Sequence, residues 1–258
     1  MSSPTALPSD TPALDLREAD GALHVHFNRT QADAAMIDAL YDAIADLEET
    51  ERFKAAVFHI RPPGDDVEPI SGQLSPSIAA LGASDGLRAF SRLEKSLSSL
   101  ERMNKPAAVV LDGPTGTLGL ELALVSDLRL ATATTSFELQ EMQRGVLPGM
   151  SVFRLARYVG LGTAKQTILL GHPISADQAL RYGVIDKLVG RTSAQGAVDD
   201  TEDEALRNGL KYLTSLPPTA LTLARQMLHE GGTMDYRKAY EAYKAAQFHA
   251  LHQLEEAG

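Results

Sequence analysis

Two glutamates in this chain occupy positions where a carboxylate could do chemistry. Glu121 lies in TLGLELALVSD, with Leu118, Leu120, Leu122, Ala123, Leu124 and Val125 as its neighbours. Glu141 follows twenty residues later in SFELQEMQRGVLPG, just ahead of Gly145, Pro148 and Gly149. A carboxylate buried among leucines costs several kcal/mol unless it is paired or protonated. Burial also raises its pKa, which suits a general acid or base. Near a helix N-terminus the same residue could instead make a charge–dipole contact worth about 0.3–1 kcal/mol. The residues alone leave both readings open for Glu121. Glu141, with Glu138 as a competitor, reads on its own as a solvated turn carboxylate.

Other chemistries find less support. The turn Gly113-Pro114-Thr115-Gly116-Thr117-Leu118-Gly119 spaces its glycines by three. It lacks the G-x-G-x-x-G crowding of a dinucleotide site, and no G-x-x-x-x-G-K-[ST] phosphate loop occurs. What remains is a strand, a turn and a helix N-terminus whose N–H groups suit a negative oxygen. The seven histidines (His24, His26, His59, His172, His229, His249 and His252) show no metal-ligand spacing, so no metal is expected. His26 and His59 read as packed or surface groups in strands. Ser71 has no nucleophile-elbow context. Arg154 and Arg157, past Gly149, read as decoration of a helix surface.

Composition sets the outer limits. The chain has 258 residues, 44% hydrophobic and 22% charged, long enough for a substantial core. It contains no cysteine, which excludes disulfides, thiolate nucleophiles and Cys-ligated metal centres. A formal net charge of −10 argues against nucleic-acid or acidic-membrane partners. No apolar run approaches the length of a membrane span. The start, MSSPTALPSDTPAL, has no signal-peptide character, so a cytoplasmic location is expected.

The elements that must position the glutamates alternate. Strands are expected at Ala22–Phe27, Ala55–Ile60, Ala107–Leu111, Leu128–Ala131 and Val184–Val189. Helices are expected at Ala32–Glu49, Leu87–Met103 and Leu118–Ser126. A Pro/Gly/Asp/Ser-rich loop spans Arg61–Ser84. After Gly149 come short helices punctuated by Gly160, Gly171 and Gly183, with a capping box at Ser175 and Gln178. Helices at Glu202–Leu216, Thr219–Glu230 and Asp235–Glu256 close the chain. Alternating strands and helices imply a largely parallel α/β core.

The run from Lys105 to Val189 resembles the enoyl-CoA hydratase/isomerase (crotonase) superfamily. The likeness lies in KP before a strand, a glycine-containing turn before ELAL, then SDLRLA, GVLPG and LLG-PISA-QAL-YGVID. Fainter likeness extends upstream through HFNR, AAVFHI and ISGQLS. The resemblance implies a spiral of ββα units with a helical C-terminal trimerisation region. The Ser/Pro/Thr composition of residues 1–12 leads us to expect a disordered lead-in, and the likeness implies a crotonase-like α/β core at 13–190 and a helical region at 191–258. Assembly as a trimer or a dimer of trimers follows from the same likeness.

It also implies a reaction. Glu121 and Glu141 fall on the family's two catalytic glutamates, with their separation kept. The pair would add water across an enoyl thioester, or remove it from a 3-hydroxyacyl thioester. Backbone N–H groups of Gln73 and Leu118 would form the oxyanion hole. Ser71, Gly72, Gly119, Pro148 and Gly149 would contact substrate.

No cofactor is implied beyond the coenzyme A or phosphopantetheine that carries the acyl group. Several positions depart from the pattern. Leu118 and Gln73 stand where smaller residues are usual, and their bulk is expected to narrow the site. The segment NRTQADAAM carries Asp33 where a basic residue near the adenosine phosphates is common. That departure brings in an acyl carrier protein as an alternative carrier to free coenzyme A. An isomerase, a decarboxylase, a hydrolase or a non-catalytic member of a biosynthetic complex are the competing readings.

Overall fold

A computed structural model describes residues 12–28, 31–61, 73–74, 81–190, 200–231 and 235–256. Ser71, Gly72, nearly all of the N-terminal lead-in and most of the Arg61–Ser84 loop lie outside the described residues. Strands β1 (Leu14–Ala19), β2 (Ala22–Phe27), β4 (Ala55–Ile60), β6 (Ala107–Leu111), β8 (Leu128–Thr132) and β11 (Lys187–Val189) form a six-stranded sheet in the order β1-β2-β4-β6-β8-β11. All neighbours are parallel except the β1–β2 hairpin. The sequence did not announce β1, because LDLREA is an edge strand with four of its six residues exposed. An edge strand needs few apolar residues, and this one carries the charges that discourage edge-to-edge pairing.

The sheet is buried on both faces, as parallel sheets require. One face presents Val25, Phe27, Phe58, Ile60, Val109 and Leu111 to the main core. Helix α1 (Ala34–Glu49) adds Met36, Ile37, Leu40 and Ile44 to that core, and α2 (Ala83–Arg102) adds Leu93, Leu97 and Leu100. The opposite face presents Ala22, Ala55, Val57, Ala108, Val110 and Leu130, and α6 (Asp200–Ser215) supplies Leu206 against them. Two minor sheets complete the β structure. β7 (Pro114–Thr115), β9 (Ser136–Phe137) and β10 (Ile174–Ser175) form one, and β3 (Gln31–Ala32) with β5 (Gln73–Leu74) forms the other.

Local chemistry sets the element boundaries. Asp33 is the N-cap of α1 and accepts the Met36 N–H at 2.8 Å. Its place in NRTQADAAM therefore has a folding reason of its own. Lys105, in the KP pair, is buried and donates to the Leu47 and Thr50 carbonyls at the end of α1. Helix α4 (Ser151–Leu170) bends at Gly160, which takes φ 75° and ψ 158°, the break expected there. Helix α5 (Ala176–Tyr182) opens with the expected capping box, Ser175 to Gln178. Helices α7 (Pro218–Gly231) and α8 (Tyr236–Glu256) follow, and α8 exposes Tyr236, Tyr240, Tyr243 and Phe248. Among the described residues no helix is long and apolar enough to cross a membrane.

Candidate active site

Helix α3 (Thr117–Val125) leaves the turn after β7 with Gly116 as its N-cap, and all nine of its residues are buried. Such a helix has no solvated face, so each polar group on it must find a partner inside the protein. Glu121, in the second turn, is 0% exposed. Its Oε1 accepts the Ser151 hydroxyl at 2.9 Å and its Oε2 accepts Arg154 Nη1 at 2.9 Å. Burial pushes its pKa up to about 7, against the opposing pull of Arg154 and the Ser151 hydrogen bond. Glu94 adds to the upward push. At neutral pH both protonation states are then populated, the condition general acid–base work calls for.

Arg154 is the largest departure from the sequence reading. It does not decorate a surface: it is 5% exposed and sits between three carboxylates. Besides Glu121 it donates to Glu94 at 2.7 and 3.0 Å and to Glu101 at 3.1 and 3.2 Å. Burial alone would lower its pKa, but the hydrogen bonds to Glu94 and Glu101 hold it well above the ordinary arginine value. His229 Nδ1, on α7, reaches Glu101 Oε1 at 3.0 Å and ties the C-terminal helices to the network. The missed signal was periodic. Ser151, Arg154 and Leu155 are spaced i, i+3, i+4 and form the buried stripe of α4, with an arginine on its apolar side.

Glu121 and Glu94 both line a cavity of about 850 Å³. Its described walls are mainly Leu87, Phe90, Leu93 and Leu97 of α2 facing Leu147 and Met150, so it is a largely apolar slot, with Lys95 and Arg102 beside the two carboxylates as its charged groups. Gly149 lines it as well and takes φ +54°. A Cβ there would lie 3.0 Å from Glu121 Oε1, so the glycine leaves room for the carboxylate.

The remaining sequence candidates divide. Leu118 is the second residue of α3, where helix geometry leaves backbone N–H groups without intrahelical partners. Its side chain is 1% exposed and belongs to the main core, so its bulk is absorbed there and is not on the described wall of the cavity. Strand β5 packs against α3 and pairs with β3 through Gln73 and Gln31, which sets the Gln73 backbone beside the helix that carries Leu118. Gly119 has a packing reason: a Cβ would lie 2.0 Å from Thr115 Oγ1, so only glycine lets α3 approach β7. Glu141 opens a short 3-10 helix (Glu141–Arg144) closed by the left-handed Gly145. Its side chain is 2% exposed and not solvated, though it does not line the described wall of the cavity beside Glu121. Pro148, next to Gly149, is buried.

Comparison with known proteins identifies the family and the fold. Residues 20–256 match the family model for enoyl-CoA hydratase/isomerase. An enoyl-CoA-hydratase of Amycolatopsis orientalis is 29% identical over 161 residues, covering 62% of this chain and 70% of that protein. A short-chain-enoyl-CoA hydratase of Clostridium acetobutylicum is 30% identical over 142 residues, 55% of this chain and 51% of the relative, so the chain matches only about half of that protein. The crystal structure of an enoyl-CoA hydratase from Mycobacterium smegmatis superposes with a TM-score of 0.77 at 19% identity, covering 93% of this chain and 91% of that one. That likeness carries the fold, while the family model carries the kinship. A parallel sheet flanked by minor sheets, a fully buried glutamate helix and a match over nearly the whole chain agree: this protein belongs to the enoyl-CoA hydratase/isomerase family.

Proposed function

We propose that the chain hydrates α,β-unsaturated acyl thioesters and, in reverse, dehydrates 3-hydroxyacyl thioesters. One observation carries the reading: Glu121, with its pKa near 7, sits on the wall of an apolar cavity and is oriented by Ser151 and Arg154. In the forward direction water adds its oxygen to the β-carbon and gives up one proton, and the α-carbon gains a proton. Glu121 is the group that exchanges a proton with water. Glu141, matched to the family's second glutamate, supplies the proton to the α-carbon. The developing charge on the thioester oxygen needs N–H donors, and the first turn of α3 with the β5 backbone, Leu118 and Gln73, is assigned that role. The hydratase names of the relatives support the reaction class.

The acyl group arrives on coenzyme A or on the phosphopantetheine arm of a carrier protein. With Asp33 explained as a helix cap, the balance moves toward coenzyme A. The exposed aromatics of α8 support assembly as a trimer or a dimer of trimers, which light scattering would read directly. The deciding experiment is mass spectrometry on enoyl thioesters offered on both carriers. Gain or loss of one water, abolished by Glu121→Gln and by Glu141→Gln, is the expected result. A shifted double bond, loss of carbon dioxide or release of free acid would replace this reading with isomerase, decarboxylase or hydrolase. An inert but folded protein would replace it with a non-catalytic role.

A further inference from the structure

A second cluster of chemistry-bearing side chains lies on the sheet face opposite the main core. His24 and His26 are two apart on β2 and so share one face of the strand. His59, on the neighbouring parallel strand, is the register partner of His26. Together with Ala22, Ala55 and Val57 they belong to the face that α6 covers further down the sheet. Their ligand nitrogens all lie within 4.8 Å of one another, the one such trio among the described residues. No motif in the sequence marks it, because two of its members are a strand pair and the third comes from the next strand.

We propose that His24, His26 and His59 form a binding site for a divalent transition metal of the zinc type, which pins β2 to β4. Neutral imidazole is the ligand form that zinc, copper(II) and nickel(II) prefer.

The distances are close to those a metal needs. His24 Nδ1 and His59 Nε2 are 2.9 Å apart, while two nitrogens on a tetrahedral zinc sit about 3.4 Å apart. A separation of a few tenths of an ångström suffices. The His26 and His59 rings are stacked at 4.3 Å and nearly parallel, at 5°. His26 must therefore swivel about its outer torsion, which is broad and soft in histidine. His59 is 3% exposed, and its Nδ1 has no hydrogen-bond partner among the described residues. Nε2 is the His59 nitrogen that faces His24, so it is the atom placed to hold an ion. Arg17 and Arg61 oppose a cation. Asp15 offsets them: it is the register partner of His26 across the β1–β2 ladder and already holds Arg17 at 2.8 Å.

The test uses the full chain, stripped with chelator and titrated with zinc chloride by calorimetry, with cobalt(II) as the spectroscopic probe. The expected result is one ion per chain, a four- or five-coordinate nitrogen-rich cobalt spectrum, and a Tm rise of about 5–10 °C at a hundredfold excess over Kd. His24→Gln and His26→Gln should each weaken zinc binding at least about tenfold. The paired change His249→Gln with His252→Gln should leave it unchanged. Absence of stoichiometric binding, an oxygen-rich six-coordinate cobalt spectrum, or binding that follows His249 and His252 would overturn the proposal. If either His variant fails to fold, the wild-type stoichiometry and cobalt spectrum decide. Activity is not among the readouts, so the result is independent of the hydratase assignment.

Discussion

At the scale of single residues, the site is defined by one guanidinium shared among three carboxylates. Glu121→Gln removes the group that exchanges a proton, and hydration should fall by about 10²–10⁴-fold, read as kcat/KM. The same variant has a thermodynamic signature. The folded-state pKa of Glu121, about 7, lies above its ordinary value of 4.5. The native protein therefore holds more protons than the unfolded chain across that interval, and stability must fall as pH rises from about 4.5 through 7. Glu121→Gln should flatten this slope, up to a limit of about 3 kcal/mol, in denaturant melts run at a series of pH values. Arg154 acts through Glu121 as a positioning residue. Arg154→Met should lift the Glu121 pKa further, since Arg154 opposes the rise, and should move the ascending limb of the pH–rate profile to higher pH. It should also cost about 3–5 kcal/mol by leaving carboxylates without their counter-charge. Arg154→Lys keeps the charge and should restore part of the profile. A profile identical to wild type in Arg154→Met would remove Arg154 from the account.

At the scale of elements, turns and caps hold that network in place. Gly149→Ala would put a methyl 3.0 Å from Glu121 Oε1 in a left-handed conformation. A Tm loss matching about 1–2 kcal/mol, together with a lower kcat, is the expected outcome. Asp33→Ala should remove a cap worth about 1 kcal/mol and lower Tm while leaving the thioester KM unchanged. A changed KM would return Asp33 to the coenzyme's neighbourhood.

The elements also show how far sequence reading carries. Strand patterns such as AAVFHI and the ELAL helix were legible, because burial on both sides demands continuous apolar runs. The spacing of Glu121 and Glu141 was legible only with the family likeness. Strand β1 was not, because an exposed edge carries little apolar signal. Arg154 was missed because arginine is rarely buried, and no local rule places Glu94 and Glu101 of α2 around it. Leu118 was expected to crowd the site because its helix position was legible and the direction of its side chain was not.

At the scale of the whole molecule, the C-terminal helices are fastened to the core through Arg225 of α7. It is 7% exposed and binds Asp127 at 2.7 Å and the Lys105 carbonyl at 3.1 Å, with further bonds to the carbonyls of Leu100 and Met103. Arg225→Met should cost about 3–5 kcal/mol. Hydrogen exchange should show α7 opening before the sheet in that variant. Uniform opening would mean the fastening is distributed. The strand order has a consequence in time. Across the main sheet it runs β1-β2-β4-β6-β8-β11, which is the order of synthesis. Each strand can therefore dock on an edge already present, and none has to be inserted between two others. Glu121 emerges in the middle of this sequence, 33 residues ahead of the arginine that receives it. A nascent chain paused between the two would hold an apolar helix with a lone acid, which is easiest to bury in its protonated state.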